Sequence, residues 1–377
     1  MRIAVNAIPL LSPLTGVGVY TYQTLKNILR LAPDNEYRYY YGYFFTRNIF
    51  ADDQTRGKIY KAKETVKHVP GLWEVAKEVQ CHAAALTLKS FDLYFEPNFI
   101  PLNVRAKKTV VSIMDFSFEK YPEWHPKERI KYFTRKFRKN IGRADRIIAI
   151  SDFVRDEAVN EFGLPAEKVN VVRLGFNQEV FRPLPKEALA PVGRKYALPE
   201  KFILCVGSME PRKNLLNLLK AYTSLPKSMR NEFKLVFAGF KGWENREIMD
   251  LISKVKEDVV YLGYVTDAEL GAIYNLASLF VYPSFYEGFG LPPLEAMACG
   301  CPVVVSRVAS LPEVCGEAAV YVEPAEVDSI AAGMRKALEG EELRKELRAA
   351  GLARSGLFSW EKTAAEHLRI FGEVVKS

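Results

Sequence analysis

Two glutamates eight positions apart, Glu287 and Glu295, bracket the stretch Glu287-Gly288-Phe289-Gly290-Leu291-Pro292-Pro293-Leu294-Glu295. The segment reads as the end of a strand, a glycine loop, and a helix with proline in its first turn. Such a junction directs free backbone N–H groups at an anion. Gly288 and Gly290 carry no side chain to obstruct a ligand. A carboxylate on either side can accept hydrogen bonds from sugar hydroxyls. Phosphate at the amides and hydroxyls at the acids together point to a nucleotide sugar. Glu295 also has a purely structural explanation, because an acid in a first helical turn complements the helix dipole. Glu287 has none, since packing does not explain a loop acid between aromatics and a glycine.

A second strand, loop and helix follows the same plan. Residues 202–206 are apolar, Gly207 and Ser208 open a loop, and Arg212 and Lys213 lead into a helix. Two cations beside a helix start suit a pyrophosphate, Arg as a fork and Lys as a point charge. Solvated loop cations are the plain alternative. Further along, Thr266 and Glu269 form a capping-box pattern. The preceding Gly263-Tyr264-Val265 turn either borders a base or is a simple connection. In the first half, Gly16 and Gly18 lie in a glycine loop after the first strand, and Asp115 ends an apolar run. His125 lies in a polar stretch and receives no role.

The elements that must position these groups alternate in type. Strands are expected at residues 2–7, 93–95, 109–114, 146–150 and 170–172. Others are expected at 202–206, 234–238, 259–261, 279–282, 302–306 and 319–322. Nearly continuous apolar strands separated by helical segments predict an α/β protein with doubly wound parallel sheets. At 377 residues the chain suggests two domains. Prolines at 183 and 185 place the division at 1–182 and 183–359, with an amphipathic helix over 360–377. The aromatic run from Tyr37 to Phe45 reads as a packed strand rather than a sugar platform. The net charge of +8 resides entirely in residues 1–180, which hold 28 Lys+Arg against 20 Asp+Glu. That favours an acidic partner for the first half. Five scattered cysteines imply reduced thiols, and no leader or membrane-spanning run is evident.

Together these residues resemble glycosyltransferase family 4, the retaining GT-B enzymes. The likeness runs from Gly16-Val17-Gly18 to the last helix. It includes Ala144-Asp145-Arg146-Ile147-Ile148-Ala149-Ile150-Ser151 and Ser310-Leu311-Pro312-Glu313-Val314. The Glu-Gly-Phe-Gly-Leu-Pro core is the most specific part. The Glu-Pro-Arg-Lys-Asn loop at 210–214 is similar to that of bacterial mannosyltransferase-like members building envelope polysaccharides. The resemblance implies two Rossmann-like domains facing a cleft, acceptor on the first and nucleotide-sugar donor on the second. The last helix would cross back to the first domain. It implies that Arg212 and Lys213 bind the donor diphosphate, assisted by Gly207 and Ser208. Glu295 would receive the ribose hydroxyls and Glu287 the donor sugar. The amides of Gly288, Phe289, Gly290 and Leu291 would hold sugar and phosphate oxygens. Tyr264 and Val265 would border the base, and Gly16 and Gly18 would approach the diphosphate.

The implied reaction is metal-independent transfer of mannose from GDP-mannose, with retention, to a saccharide or lipid-linked acceptor. No Asp-x-Asp pattern is present. One departure stands out: family members commonly carry His-Asp where this chain has Met114-Asp115. Asp115 remains a catalytic candidate, with Glu96 as a substitute for the missing imidazole. Because of Met114, a non-catalytic nucleotide-sugar-binding subunit stays open as an alternative, as does another GT-B enzyme such as an epimerase. The stretch from Lys127 to Lys139 is a basic amphipathic helix. It faces either an anionic membrane or its own core. The expected location is cytoplasmic, at the inner membrane face if that helix binds lipid.

Overall fold

A computed structural model describes residues 1–11, 16–42, 45–49, 90–125, 127–240 and 246–377. Leu14 and Thr15 of the first glycine loop, and Tyr43 and Phe44 of the aromatic run, lie outside them. The chain divides into two compact units, Met1–Leu174 with Trp360–Ser377, and Gly175–Ser359.

Among the described residues the first unit holds seven strands: β1 Arg2–Asn6, β2 Glu36–Tyr40, β3 Phe45–Thr46, β4 Phe91–Glu96, β5 Ala106–Ile113, β6 Arg146–Ala149 and β7 Val169–Val171. They lie in the order β3-β2-β1-β4-β5-β6-β7. All pairings are parallel except β2 with β3. The aromatic run therefore turns back on itself, with Gly42 at φ +95° between the two strands. Its rings pack inward: Tyr39 and Tyr40 are buried, and Phe45 lies 5.0 Å from Tyr40 and 5.7 Å from Phe91. The core, not a ligand platform, accounts for these aromatics.

The second unit holds β8 Phe202–Val206, β9 Lys234–Ala238, β10 Val259–Tyr261, β11 Leu279–Tyr282, β12 Val303–Ser306 and β13 Ala319–Val322, in the order β10-β9-β8-β11-β12-β13. Every pairing is parallel. β11 and β12 are buried along their whole length, as helices on both faces require.

The division falls after Leu174, eight residues before the proline-based estimate. Residues 175–182 pack on the second unit. The Phe181 ring lies 6.0 Å from Tyr274, and Asn275 Nδ2 donates to the Arg182 carbonyl at 2.9 Å. Gly271 leaves room for the Val180 carbonyl, which would stand 2.8 Å from a Cβ there. These contacts, rather than the prolines, fix the boundary.

The last helix, Trp360–Lys376, belongs to the first unit. It packs against α1, Gly16–Leu31, and the first sheet. Phe371 meets Phe95 at 5.2 Å. His367 Nδ1 lies 2.7 Å from the Thr363 carbonyl, which only a protonated nitrogen can satisfy. Nε2 is then the acceptor for the Tyr20 hydroxyl at 2.7 Å, and Ser112 Oγ donates to Tyr20 at 2.6 Å. This sealed chain of hydrogen bonds ties the C-terminal helix to α1 and β5. Burial pushes the His367 imidazole down to about 4, opposed by the Thr363 carbonyl.

Candidate active site

The second sheet reverses its strand order between β8 and β11. In open α/β sheets ligands bind beyond the carboxyl ends of strands at such a point. The loops leaving these ends are stitched together. Gly207 N donates to the Ala238 carbonyl at 2.9 Å, Met209 N to Phe240 at 3.1 Å, and Gly239 N to Gly263 at 2.8 Å. Gly239 has φ +146°, and a Cβ there would stand 2.0 Å from the Gly207 carbonyl oxygen. Only glycine permits this backbone approach.

The basic loop is a single 3₁₀ turn, Pro211–Lys213, ending at Asn214 with φ +56°. Asn214 Nδ2 donates to the carbonyls of Pro283 at 2.9 Å and Pro324 at 2.6 Å. Those bonds hold a non-glycine residue in the left-handed region. Arg212 Nη1 donates to Glu287 Oε2 at 2.7 Å and to the Tyr286 carbonyl at 3.1 Å. Lys213 Nζ donates to Glu287 Oε1 at 2.7 Å and bonds the Tyr282 hydroxyl. Ser208 Oγ bonds Glu210, whose carboxylate stands 3.8 Å from Arg212.

Both Glu287 oxygens are thus engaged by cations. Burial alone would push this carboxyl up, but Arg212 and Lys213 outweigh it and hold Glu287 down to about 2. Burial and the Arg212 charge pull the Lys213 ammonium down, against the attraction of Glu287. A carboxylate shared by two cations keeps its charge, and with Glu210 beside Arg212 the cluster sets two cations against two anions. Glu287, expected to receive sugar hydroxyls, serves in this state as counter-ion to the basic pair.

The glycine loop runs from Glu287 into α2, Leu291–Ala298, whose start no side chain caps. Pro292 and Pro293 have no N–H, so no amide of α2 between Leu291 and Leu294 can meet a ligand. Gly290 has φ +109°, and a Cβ there would press within 2.8 Å of Leu311 Cδ2. Ser310 Oγ shares its proton between the carbonyls of Glu287 at 2.8 Å and Phe289 at 2.7 Å, which shapes the loop from beneath. Glu295 is half-buried one turn into α2, past the first turn in which it was expected, and accepts from the Tyr274 hydroxyl at 3.3 Å. Burial first, and then the Asp267 charge, raise its carboxyl to about 8, opposed by the Tyr274 bond.

Tyr264 is 60% exposed and stacks on Phe240 at 4.7 Å, itself 42% exposed, while Val265 is buried. The capping box of Thr266 and Glu269 begins the next helix, Asp267–Leu276. Sequence reasoning missed Phe240, Gly239, Tyr282, Asn214 and Ser310. Asn214 and Ser310 lie within the quoted motifs, whereas Gly239 and Phe240 reveal themselves only once β8 and β9 are known to be neighbours.

The first sheet reverses between β1 and β4. There Asn6 Nδ2 donates to both oxygens of Glu96 at 2.9 Å. The Tyr94 hydroxyl adds a bond at 2.6 Å and Asn98 N one at 3.1 Å. Glu96 has no exposed surface, so it is a structural tie and not a replacement for an imidazole. Gly16 opens α1 with φ +26° and open space around it, and Gly18 is buried one residue pair on. Met114 is buried after β5. Asp115 Oδ1 accepts from Ser117 N at 3.0 Å and Ser117 Oγ at 2.8 Å. His125 Nε2 lies 3.0 Å from that same Oγ. The fold therefore brings to Asp115 a histidine that its sequence position did not recommend.

The basic helix spans Lys127–Asn140. Its apolar residues serve the core: Phe137 is buried and lies 5.5 Å from Phe118, and Phe133 lies 5.4 Å from Phe118 and 5.9 Å from Phe99. Lys127, Arg135, Arg138 and Lys139 are exposed. Among the described residues no helix is long and apolar enough to cross a membrane.

Residues 194–354 match the family described as glycosyl transferases group 1, and residues 94–180 match glycosyltransferase family 4. The chain is 34% identical to the O-antigen chain mannosyltransferase B of Escherichia coli, over 98% of this chain and 99% of that one. It is 37% identical to the serotype-specific mannosyltransferase WbdA of Escherichia coli over 61% of this chain and 29% of that longer one. Its fold is similar to sucrose-phosphate synthase from Thermosynechococcus elongatus, with TM-score 0.74, 19% identity and 99% and 98% of the two chains covered. It is also similar to WaaG, a glycosyltransferase involved in lipopolysaccharide biosynthesis, with TM-score 0.71, 17% identity and 98% and 99% covered. The fold is thus GT-B, and the chain belongs to the group 1 glycosyltransferases.

Proposed function

We propose that this enzyme transfers mannose from GDP-mannose to a saccharide or lipid-linked acceptor in envelope polysaccharide synthesis. The observation that carries the reading is the cluster of Arg212, Lys213 and Glu287 at the β8–β11 reversal, beside the uncapped start of α2. The relatives named as O-antigen mannosyltransferases support the choice of sugar and product. Breaking the sugar–phosphate bond puts positive charge on the sugar and negative charge on the departing diphosphate. Arg212, Lys213 and the amides of residues 288–291 stabilise that leaving group, each preorganised donor being worth about 3 kcal/mol. With two fixed cations aimed there, the reaction needs no divalent ion. Glu295 receives the ribose hydroxyls, and the exposed Tyr264–Phe240 pair lies under the base.

Diphosphate oxygens attract Arg212 and Lys213 when donor binds, which frees Glu287 to meet sugar hydroxyls. The acceptor attacks from the face the diphosphate leaves, a phosphate oxygen takes its proton, and the anomeric configuration is retained. Asp115 accepts a hydroxyl hydrogen bond. The exposed cations of Lys127–Asn140 attract an anionic membrane surface by charge alone, because the helix's apolar stripe is already used in the core.

The test is a panel of GDP-, UDP- and ADP-sugars with release of nucleoside diphosphate as readout. Turnover confined to GDP-mannose is the expected result, unchanged by chelator, with the product anomer matching the donor. Release from another donor, loss on chelation, or inversion would each refute its part. Co-sedimentation with anionic vesicles that persists unchanged at high salt would contradict the charge-only membrane contact.

A further inference from the structure

We propose that His125 is a positioning residue for Asp115, acting through Ser117, in the transfer reaction; this rests on the transferase reading above. The geometry is a three-residue relay at the carboxyl end of β5. Ser117 Oγ lies 2.8 Å from Asp115 Oδ1 and 3.0 Å from His125 Nε2. A hydroxyl has one proton, and a carboxylate can only accept. The Ser117 proton is therefore given to Asp115, and Ser117 Oγ accepts from His125 Nε2–H. The direction of both bonds follows from the acid at one end.

Each member is placed by a separate local device. Ser117 N donates to Asp115 Oδ1 at 3.0 Å, closing a turn that begins the short helix Ser117–Lys120. His125 follows the 3₁₀ turn Pro122–Trp124, and its N donates to the Pro122 carbonyl at 3.1 Å. Trp124 stacks on Tyr121 at 4.0 Å with planes 12° apart, which stiffens that turn. Ser117 is 3% exposed, so it is a link and not a nucleophile.

The consequence lies in what remains free on Asp115. Oδ1 is saturated by the two Ser117 donors, whereas Oδ2 has no hydrogen-bond partner among the described residues. The relay thus fixes the carboxylate plane and presents one oxygen to an incoming hydroxyl. Met114, buried beside it, offers no polar hydrogen. A carboxylate free to swing would hold a sugar hydroxyl less well in the reactive arrangement, and misplacement of this kind costs rate rather than donor affinity.

The test uses the full chain and compares wild type with H125A, H125Q and S117A by donor turnover and transfer kinetics and by thermal melting. Glutamine carries an N–H that can reach Ser117; alanine does not. Loss of orientation predicts that H125A lowers kcat by about tenfold to a hundredfold with donor KM little changed. H125Q should recover most of that loss. S117A should reproduce it, and H125A in the S117A background should cost little more, since both break one relay. An H125A enzyme as fast as wild type, a loss confined to donor KM or to melting temperature, or an H125Q enzyme as poor as H125A each overturns the proposal. A wild type that turns over no nucleotide sugar overturns the transferase reading and this role with it. An active wild type with an unaffected H125A overturns this role alone.

Discussion

Each sheet has one point where its strand order reverses, and a glutamate sits at both. In the first unit Glu96 is completely enclosed, and among the described residues it is met by neutral donors from Asn6, Tyr94 and Asn98. In the second unit Glu287 is met by the full charges of Arg212 and Lys213, and side-chain exposure rises to 19% at Arg212. Neutral donors satisfy a carboxylate and leave nothing for a ligand. Two cations held by Glu287 and Glu210, and reached by solvent at Arg212, can exchange those carboxylates for the anion of a ligand. Topology alone therefore does not make a binding site; the charge of the groups that meet the acid decides it.

The largest effect should come from removing those two cations. R212A and K213A together should lower kcat by at least two to three orders of magnitude, since each preorganised donor contributes about 3 kcal/mol in the transition state. Glu287, left buried without its cations, should lower the melting temperature as well, so activity is compared below the melting transition. Full activity in the double variant would show that the β8–β11 reversal is not where the leaving group is stabilised.

Next come the acids themselves. E287A leaves the buried Lys213 and the part-buried Arg212 without their shared carboxylate and should destabilise the fold by about 3–5 kcal/mol. E96A leaves several buried donors without an acceptor and should cost about 3 kcal/mol. What separates them is ligand response. Nucleotide should stabilise E96A as much as it does wild type and E287A more, because the diphosphate takes over as counter-ion to Arg212 and Lys213. Equal rescue of both would erase the distinction between the two reversals. Urea melts with and without GDP provide the measurement.

How much of this contrast could be read from the chain depends on whether the relevant contacts are local. The strands of both sheets follow from apolar runs, and the Thr266–Glu269 capping box spans four residues. Arg212, Lys213, Glu287 and Glu295 were conspicuous because loop charges beside glycines are not explained by packing. Their mutual contact was not readable, since Lys213 and Glu287 are 74 positions apart. The enclosure of Glu96 depends on Asn6, 90 positions away, so a strand-end acid there resembled a site residue. His125 was passed over because its neighbours are polar, although a proline turn carries it to Ser117. The boundary was misplaced for a similar reason: prolines 183 and 185 are visible locally, whereas the packing of Phe181 on Tyr274 is not.

His367 offers a smaller, titratable version of the enclosed case. Its neutral form is required by the Thr363 carbonyl on one side and the Tyr20 hydroxyl on the other. Folding lowers its pKa from 6.5 to about 4, chiefly by burial. Between those values the unfolded chain binds the extra proton, so stability rises with pH across the window. About 3 kcal/mol should be lost as pH falls from 7 to 4. H367N or H367Q should flatten that part of the pH–stability profile. If the profile keeps its slope, the C-terminal helix is not held through this chain of bonds.

Glu295 gives the mildest effect and the sharpest sign. Its carboxyl moves from 4.5 to about 8, by burial and then by Asp267. The folded chain therefore holds a proton that the unfolded chain releases between those values, and stability should decline as pH rises through the window. Ribose hydroxyls bind best to the ionised carboxylate, so nucleotide affinity should move the other way. Only about a tenth of the group is ionised at pH 7 if its pKa is 8, which leaves about a tenfold gain in affinity by pH 9 and beyond. GDP titrations and denaturant melts across pH 6–9 would show both slopes, and E295Q should remove them together. A wild type whose affinity is flat over that range would mean that donor recognition does not involve the Glu295 charge. The second reversal would then bind its ligand through Arg212 and Lys213 without help from that charge.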